Sequence, residues 1–384
     1  MPNSKAAAVR CGNYTRQEVQ AAIDRSLELL GGMKQFVKPG MRVLLKCNLV
    51  MKKKPEEGAT THPEVAAALA GAIREAGGEP IIGDSPGGLF TEQALRGLYK
   101  VCGMEEIAKR DNIPLNYGTG VMEVQHPDGR ILKKLTVIEL LKEVDAVISV
   151  AKLKTHGMTL YTGAVKNLFG VIPGTTKAEY HFRMKKLEDF SEMLIDICTW
   201  VKPVLSFIDG VTGMEGNGPT AGEPRDAGVI LASADPFALD VAGASLINIP
   251  PEKVCTIRAA AGRGICSGRL EDIELVGDPF GDLILKDFKV PQLSGLNFVE
   301  RFLKGSGPMT EVLSQYLTPR PAFIHDICVG CRECEKNCPP KAITMRDGKP
   351  YVNLKECIRC YCCQELCPRK AVDIKRHWVF KIFK

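Results

Sequence analysis

Short apolar runs alternate with amphipathic stretches through the first three quarters of this chain of 384 residues. Arg42–Cys47, Pro80–Gly83, Ala146–Val150, Val204–Ile208 and Val229–Ala232 are rich in Val, Ile and Leu, and most are apolar throughout. A strand that is apolar on both sides belongs in a parallel sheet covered on both faces, because only there are both pleat surfaces removed from water. Helical spacing runs through Arg16–Leu30, with Thr15 and Glu18 placed as a capping box, and through Pro63–Ala76, where proline in the first turn loses no needed N–H. Asp235–Ile247 and Pro251–Ala261 continue the pattern. The expected fold class is α/β, a two-lobed body with a largely parallel sheet over residues 1–290. Gly305, Gly307, Pro308, Pro319 and Pro321 then mark 291–322 as a linker with short helices. Residues 323–384 remain for a small C-terminal α+β domain and a basic tail.

That last region holds the most specific chemistry. Nine of the 15 cysteines lie between residues 328 and 367, and eight of them repeat one spacing. The copies are Cys328-x2-Cys331-x2-Cys334-x3-Cys338-Pro339 and Cys357-x2-Cys360-x2-Cys363-x3-Cys367-Pro368. This is the run that ligates a pair of [4Fe–4S] clusters, three thiolates holding one cluster while the fourth reaches the other. Cys328, Cys331, Cys334 and Cys367 are expected on the first cluster, and Cys357, Cys360, Cys363 and Cys338 on the second. Structural zinc takes pairs of thiols round one tetrahedral ion, and disulfides suit small secreted chains, so both fit the spacing poorly. Cys362 is a ninth thiol beside the ligands, expected to be a buried spectator. The segment 323–375 resembles two-cluster bacterial-type ferredoxins. Asp347-Gly348 between two short apolar runs predicts a hairpin, and Ala371–Ile374 repeats the pattern after the first Cys-Pro, so the module reads as an internal duplication.

Charge changes the picture once. From residue 324 onward there are 13 Lys+Arg against 7 Asp+Glu, which accounts for the whole formal +6 of the chain. Thiolates and cluster cores would offset much of this, so the basic balance does not call for nucleic acid. With aromatics at 6% and no recognisable nucleic-acid module, that partner class is excluded. No run of about 18 apolar residues is present, so no transmembrane segment is expected. The tail from Lys375 to Lys384 is basic and aromatic, fit to touch a membrane surface but expected to pack on the body. Many cysteines and an opening MPNSKAAAVR without a signal-length apolar core point to the cytoplasm.

In the body, the densest polar segment follows an apolar strand: Lys152, Lys154 and His156, then Lys166 and Asn167. Open α/β sheets place ligands at strand ends, and this group suits a carboxylate, a phosphate or an enolate-like species. Three decoys are set aside. Gly83-Asp84-Ser85-Pro86-Gly87 matches a nucleophile elbow, but Pro86 has no N–H for an oxyanion. The segment from Gly170 to Lys177 lacks the Gly-Lys-Ser/Thr end of a phosphate loop, and Gly210–Gly222 is no dinucleotide fingerprint and reads as a mobile loop.

The body also resembles the family catalogued as domain of unknown function 362. The likeness runs through Lys46-Cys47-Asn48, Thr61-His62-Pro63-Glu64, Gly83–Gly87, Lys152-x-Lys154-x-His156, Gly163-x-x-Lys166-Asn167-x-x-Gly170 and Asp235-Pro236-x-x-x-Asp240. The resemblance implies that these segments converge on one site, and it supplies no reaction. Lys46, Lys152, Lys154 and Lys166 would clamp an anion that Asn48 and Asn167 orient. His62 or His156 would move a proton, and Asp84 or Asp209 would act as base or metal ligand. Lys177, Glu179 and His181 would form a lid. Cys47 is the one body thiol singled out for reactivity.

Three functions stay open. The first is an iron–sulfur oxidoreductase, passing electrons between a soluble donor or acceptor protein and a small anionic substrate or cofactor in the body. The second is a non-redox lyase or isomerase with structural or regulatory clusters. The third is a non-catalytic electron-delivery or binding module.

Overall fold

The computed structural model describes residues 4–291 and 318–375. Most of the linker expected at 291–322 and the tail beyond residue 375 lie outside them. The body contains strands β1 (Ser4–Arg10), β2 (Arg42–Cys47), β3 (Glu79–Gly83), β4 (Val121–Gln125), β5 (Lys134–Ile138), β6 (Ala146–His156), β7 (Leu160–Thr162), β8 (Leu205–Glu215), β9 (Glu223–Ser233) and β10 (Ile273–Gly277). Its helices are α1 (Arg16–Leu29), α2 (Pro63–Glu75), α3 (Glu92–Val101), α4 (Met104–Arg110), α5 (Ala164–Asn167), α6 (Gly174–Arg183), α7 (Leu187–Val201), α8 (Pro236–Leu246), α9 (Cys255–Gly262) and α10 (Phe280–Leu283).

Eight strands form the main sheet in the order β10-β1-β9-β8-β6-β2-β3, with β7 on β6. The sheet is mixed. β3, β2, β6 and β8 run parallel, as do β1 and β10, whereas β9 is antiparallel to both β1 and β8. Alternation along β2 shows why both faces are covered. Val43, Leu45 and Cys47 enter the core under α1 and α2, and Leu44 enters the opposite core with α7. That second face carries two separate cores, one around α7 and β5 and one around α8 and α10, which gives the body its two lobes.

Two sequence expectations change in detail. Thr15 caps nothing with its side chain; Glu18 instead accepts the Gly12 N–H at 2.9 Å and Asn13 accepts the Thr15 N–H at 2.8 Å. The glycine-rich stretch after Asp209 is not simply a loop, since β8 continues through it to Glu215, paired with β9. Its glycines serve close approach: a Cβ on Gly210 would meet the Val229 carbonyl oxygen at 2.9 Å, and one on Gly213 the Leu153 carbonyl at 3.0 Å.

The small domain is a duplicated unit. β11 (Arg320–Phe323) pairs with β14 (Val372–Lys375), and β12 (Ile343–Arg346) with β13 (Lys349–Val352), each pair antiparallel. The turns α11 (Glu333–Lys336) and α12 (Cys362–Glu365) follow corresponding cysteines. Left-handed backbone recurs at matched places: Gly330 and Arg359, Arg332 and Tyr361, Lys341 and Lys370 all have positive φ. The hairpin turn at Asp347-Gly348 has φ of 48° and 72°, as a tight turn with two left-handed residues requires.

One buried carboxylate ties the β4–β5 hairpin to the body. Asp196 on α7 is fully buried and accepts the N–H groups of Arg130, Ile131 and Leu132 at 2.7 to 2.8 Å, with the Arg263 guanidinium at 2.7 Å. Burial alone would raise its pKa; the three N–H groups and Arg263 outweigh that and hold it below the usual range. The stability it adds is therefore present above the unfolded carboxylate pKa and fades as pH falls through the depressed native value. Asp196→Ala should lower unfolding stability in urea by about 3–5 kcal/mol, since it leaves three N–H groups without an acceptor and Arg263 with Glu192 alone. A loss below about 1 kcal/mol would contradict the role assigned to this residue.

Candidate functional site

The carboxy ends of β2, β3 and β6 point the same way, and the loops leaving them meet α5, α6 and one edge of the small domain. Between them lies a cavity of about 100 Å³. Lys46, Asn48, Asp84, Ser85, Lys166, Asn167, Lys177 and His181 line it from the body, and Asn337, Cys362, Glu365 and Leu366 line it from the small domain. The site is thus a seam between two domains.

Hydrogen bonds explain how the sequence builds the body side. Lys46, the penultimate residue of β2, lies 2.8 Å from Asp84 Oδ1 and donates to the Cys47 carbonyl at 2.7 Å. Asp84 Oδ2 accepts the Leu49 N–H at 2.6 Å. Gly170 lies directly over the Lys46–Asp84 pair, where a Cβ would collide with both side chains. Asn167 is locked by donating to the Lys46 carbonyl at 2.9 Å and to Ser149 Oγ at 3.0 Å, and its oxygen accepts from Asn48 at 3.2 Å. Asp240 on α8 accepts the N–H groups of Ala164 and Val165 at 2.5 and 3.2 Å, which fixes the first turn of α5 and so Lys166. Burial pushes the Asp240 carboxyl up to about 7 despite those bonds.

The lysines divide into two groups. Lys154 stands behind the cavity wall, donating to Asn48 Oδ1 and to the Ala59 carbonyl, both at 2.7 Å. Lys177 reaches from α6 to the carbonyls of Ser85 and Pro86. Burial pushes the amines of Lys154 and Lys177 down to about 7 and lowers that of Lys166 as well. Lys166 makes no hydrogen bond or ion pair among the described residues; the Phe169 ring, 6.0 Å away, is the one cation–π contact of its amine. Lys152 is not brought to the cavity. It pairs with Asp209 at 2.9 Å and donates to Tyr14 at 2.7 Å.

His62 lies with that second network. Its ring stacks on Tyr14 at 3.5 Å, its N–H donates to Asp209, and Nδ1 accepts the Glu64 N–H at the start of α2. His156 faces the small domain instead. Nδ1 accepts the N–H groups of Met158 and Thr159 at 3.0 and 3.2 Å, so the ring proton sits on Nε2, 2.9 Å from Glu365 Oε1 at an angle poor for a hydrogen bond. Burial pushes His156 and His181 down to about 4, leaving both neutral at pH 7. For Glu365, burial would raise the pKa, but His156, Lys166 and His181 hold it down at about 2. Cys47 is fully buried and burial pushes its thiol up to about 12, which removes the reactivity considered for it.

Glu365 is the site residue that sequence reading missed, because the cysteine spacing accounted for its neighbourhood without it. Sequence distance also hid its partners. Around it, Thr220 Oγ1 donates to the Glu365 carbonyl at 2.7 Å, Gln364 to Asn217 at 3.1 Å and Lys370 to Gly222 at 2.9 Å. The stretch after β8, expected to be mobile, is therefore the surface on which the small domain sits. Of the three residues expected to form a lid, Lys177 and His181 line the cavity from the regular helix α6, while Glu179 is exposed and pairs with Arg183.

The eight repeated thiols fall into two neighbourhoods. Cys328, Cys331, Cys334 and Cys367 line one cavity with Phe323, Met345 and Val372. Cys338, Cys357, Cys360 and Cys363 are electrostatic neighbours in the other half. The Ala371 N–H donates to Cys367 Sγ at 3.2 Å, the kind of bond that stabilises a thiolate ligand. Among the described residues no three Cys, His, Asp or Glu side chains converge as ligands of a single ion do. Cys362 is buried next to Cys360, its hydrogen-bond partner, and faces the seam cavity.

Comparison with known proteins completes the picture. The domain of unknown function DUF362 matches residues 43–245, and a 4Fe-4S dicluster domain, of a type generally associated with redox proteins, matches 320–368. The thylakoid-associated protein sll1697 of Synechocystis sp. is 35% identical over 286 residues, 74% of this chain and 87% of that protein. Among solved structures, the lactate racemase apoprotein of Thermoanaerobacterium thermosaccharolyticum gives a TM-score of 0.37 at 11% identity, covering 61% of this chain and 54% of that one. A Thermotoga maritima protein gives 0.33 at 15% identity, covering 58% of this chain and 56% of its own. At those scores neither likeness bears on the reading of this chain. The cytoplasmic location expected from the sequence is corrected by the Synechocystis relative, which is associated with a membrane system, although no described helix is long and apolar enough to cross a membrane. With one domain match over half its length and a 35% identical relative across 74% of it, the chain belongs to the DUF362 family and carries a 4Fe-4S dicluster domain at its C-terminal side.

Proposed function

We propose that this protein is an iron–sulfur oxidoreductase in which two [4Fe–4S] clusters serve a small anionic substrate or cofactor held in the seam cavity. The observation that carries the reading is that Cys362 and Glu365, which lie between the repeated thiols Cys360 and Cys367, form one wall of the cavity whose other wall is Lys46, Asn48, Lys166 and Asn167. Cys328, Cys331, Cys334 and Cys367 would hold the first cluster, and Cys357, Cys360, Cys363 and Cys338 the second. When bound, such clusters supply one-electron storage and transfer. The chain's own residues do the rest. Lys166 and Lys177 attract the anion, Asn48 and Asn167 keep the strand ends rigid, and α6 and α12 shield the cavity from bulk water. His156, with its proton on Nε2, and Asp84 are the groups we assign to proton movement. Lys46 contributes positive field from the wall and Lys154 from behind it.

A protein partner for electron exchange belongs to this reading. So does a place at a membrane surface, which the thylakoid association of the Synechocystis relative supports. The domain limits of 1–290, 291–322 and 323–384 remain our division of the chain.

Anaerobic reconstitution should give about eight irons and eight sulfides per chain, with Cys334→Ala and Cys363→Ala each removing about four irons. Stoichiometric zinc, or about four irons in the unaltered protein, would contradict the assignment. In the reduced protein, the cluster paramagnetic signal should disappear on adding the true substrate and persist with partners alone.

The pH dependence has a fixed sign. Burial lowers the amines of Lys154 and Lys177 to about 7, so both are charged below that pH and neutral above it. Affinity for a small carboxylate, measured by calorimetry, should fall as pH rises through about 7. An affinity flat from pH 6 to 9 would show that these amines do not set the field of the site.

A further inference from the structure

Buried polar groups in folded proteins have partners, and a group left without one costs about 1–3 kcal/mol unless a ligand or water meets it. In the seam cavity most groups are accounted for. Lys46 has Asp84 and the Cys47 carbonyl, and Lys177 has the carbonyls of Ser85 and Pro86. Two donors are left over. Lys166, a half-buried residue, has no hydrogen-bond or ion-pair partner for its Nζ among the described residues, and Ser85 Oγ is fully buried in a residue 2% exposed, with no hydrogen-bond partner among them. Two acceptors are also left over: Asp84 Oδ1 and Glu365 Oε1 are buried and take no hydrogen bond of good angle, although Lys46 lies 2.8 Å from the first and the neutral His156 ring 2.9 Å from the second. All four residues line the one cavity.

The leftover groups describe a complement. A carboxylate would accept from Lys166 and Ser85, and a hydroxyl on the same small molecule would donate to a carboxylate of the wall. A plain carboxylic acid would leave the Glu365 oxygen facing acceptors only. A phosphate dianion would bring a second negative charge beside the Asp84 and Glu365 carboxylates of the wall. A space of about 100 Å³ has room for a small molecule of this kind.

We infer that the seam cavity binds a small hydroxycarboxylate, its carboxylate held by Lys166 Nζ and Ser85 Oγ and its hydroxyl donated to Glu365 Oε1. This rests on the anion site of the proposed function and specifies its ligand. Because Glu365 belongs to the small domain and Lys166 to the body, the ligand completes its contacts only when both domains are in place.

Calorimetry on the anaerobic holoprotein with glycolate, acetate, ethylene glycol and inorganic phosphate tests it. Glycolate should bind about tenfold or more tightly than acetate, the worth of one hydrogen bond to a charged group, with ethylene glycol and phosphate weaker than both. Lys166→Met and Ser85→Ala should each weaken glycolate about tenfold or more while iron content and melting temperature hold. Ser85→Ala removes a single oxygen, so it reports even where Lys166→Met fails to fold. Equal binding of glycolate and acetate, tighter binding of phosphate, no glycolate heat, or full affinity in folded Ser85→Ala would each overturn the inference. Glycolate binding without any reoxidation of reduced protein by a hydroxy acid keeps this inference and removes the redox reading. Reoxidation by a molecule lacking a hydroxyl, with no glycolate binding, does the reverse.

Discussion

Burying lysine amines at the carboxy ends of neighbouring parallel strands is the constraint on which the rest of this structure depends. An isolated buried ammonium is unfavourable by several kcal/mol, so each must be paired, hydrogen-bonded or left neutral. The structure uses every one of these solutions. Lys46 takes Asp84, Lys152 takes Asp209, Lys154 takes Asn48 and a backbone carbonyl, and Lys166 keeps no partner of its own among the described residues. Glycine at 170, the aspartate at 240 and the asparagines at 48 and 167 follow from this, since each makes room for or fixes one of these amines. The small domain belongs to the same balance of charge. Glu365 brings a second carboxylate, besides Asp84, to a region of lysines and neutral histidines, and its position ties the cysteine loops to the body.

What the sequence disclosed depends on how local each signal is. The thiol repeat was legible because spacing within a loop is a local property, and its eight cysteines fall inside the 4Fe-4S dicluster match. The α/β class was legible from apolar runs, and the observed β2, β3 and the helices α1, α2 and α8 lie within a residue or two of expectation. Strands β6, β8 and β9 are much longer than expected, since the second halves of β6 and β8 and the first half of β9 are polar or glycine-rich and are made strands by pairing alone. The Thr15 capping box failed because Asn13 and Gly12 offered nearer partners.

Site residues divide along the same line. Lys46, Asn48, Lys166, Asn167 and Asp84 meet in the cavity, as expected of residues near strand ends. Lys152 shares the Lys-x-Lys-x-His alternation with Lys154, yet is diverted to Tyr14 and Asp209, which no pattern in its own segment reveals. His62 is held in that same network. Glu365 was invisible for a related reason: its function depends on where the small domain sits, and the contacts of Thr220, Asn217 and Gly222 that seat it are distant in sequence. Location was misjudged because cysteine usage reports redox compartment, not attachment to a surface.

The central claim is that the body and the iron–sulfur domain share one ligand cavity. Electron–nuclear double resonance on the reduced holoprotein with carboxylate-labelled ¹³C-glycolate tests it most directly. Dipolar coupling between the label and one reduced cluster is the predicted result, at the cluster proposed to be held by Cys357, Cys360, Cys363 and Cys338. Saturable binding of the labelled ligand with no coupling to either cluster would contradict the account.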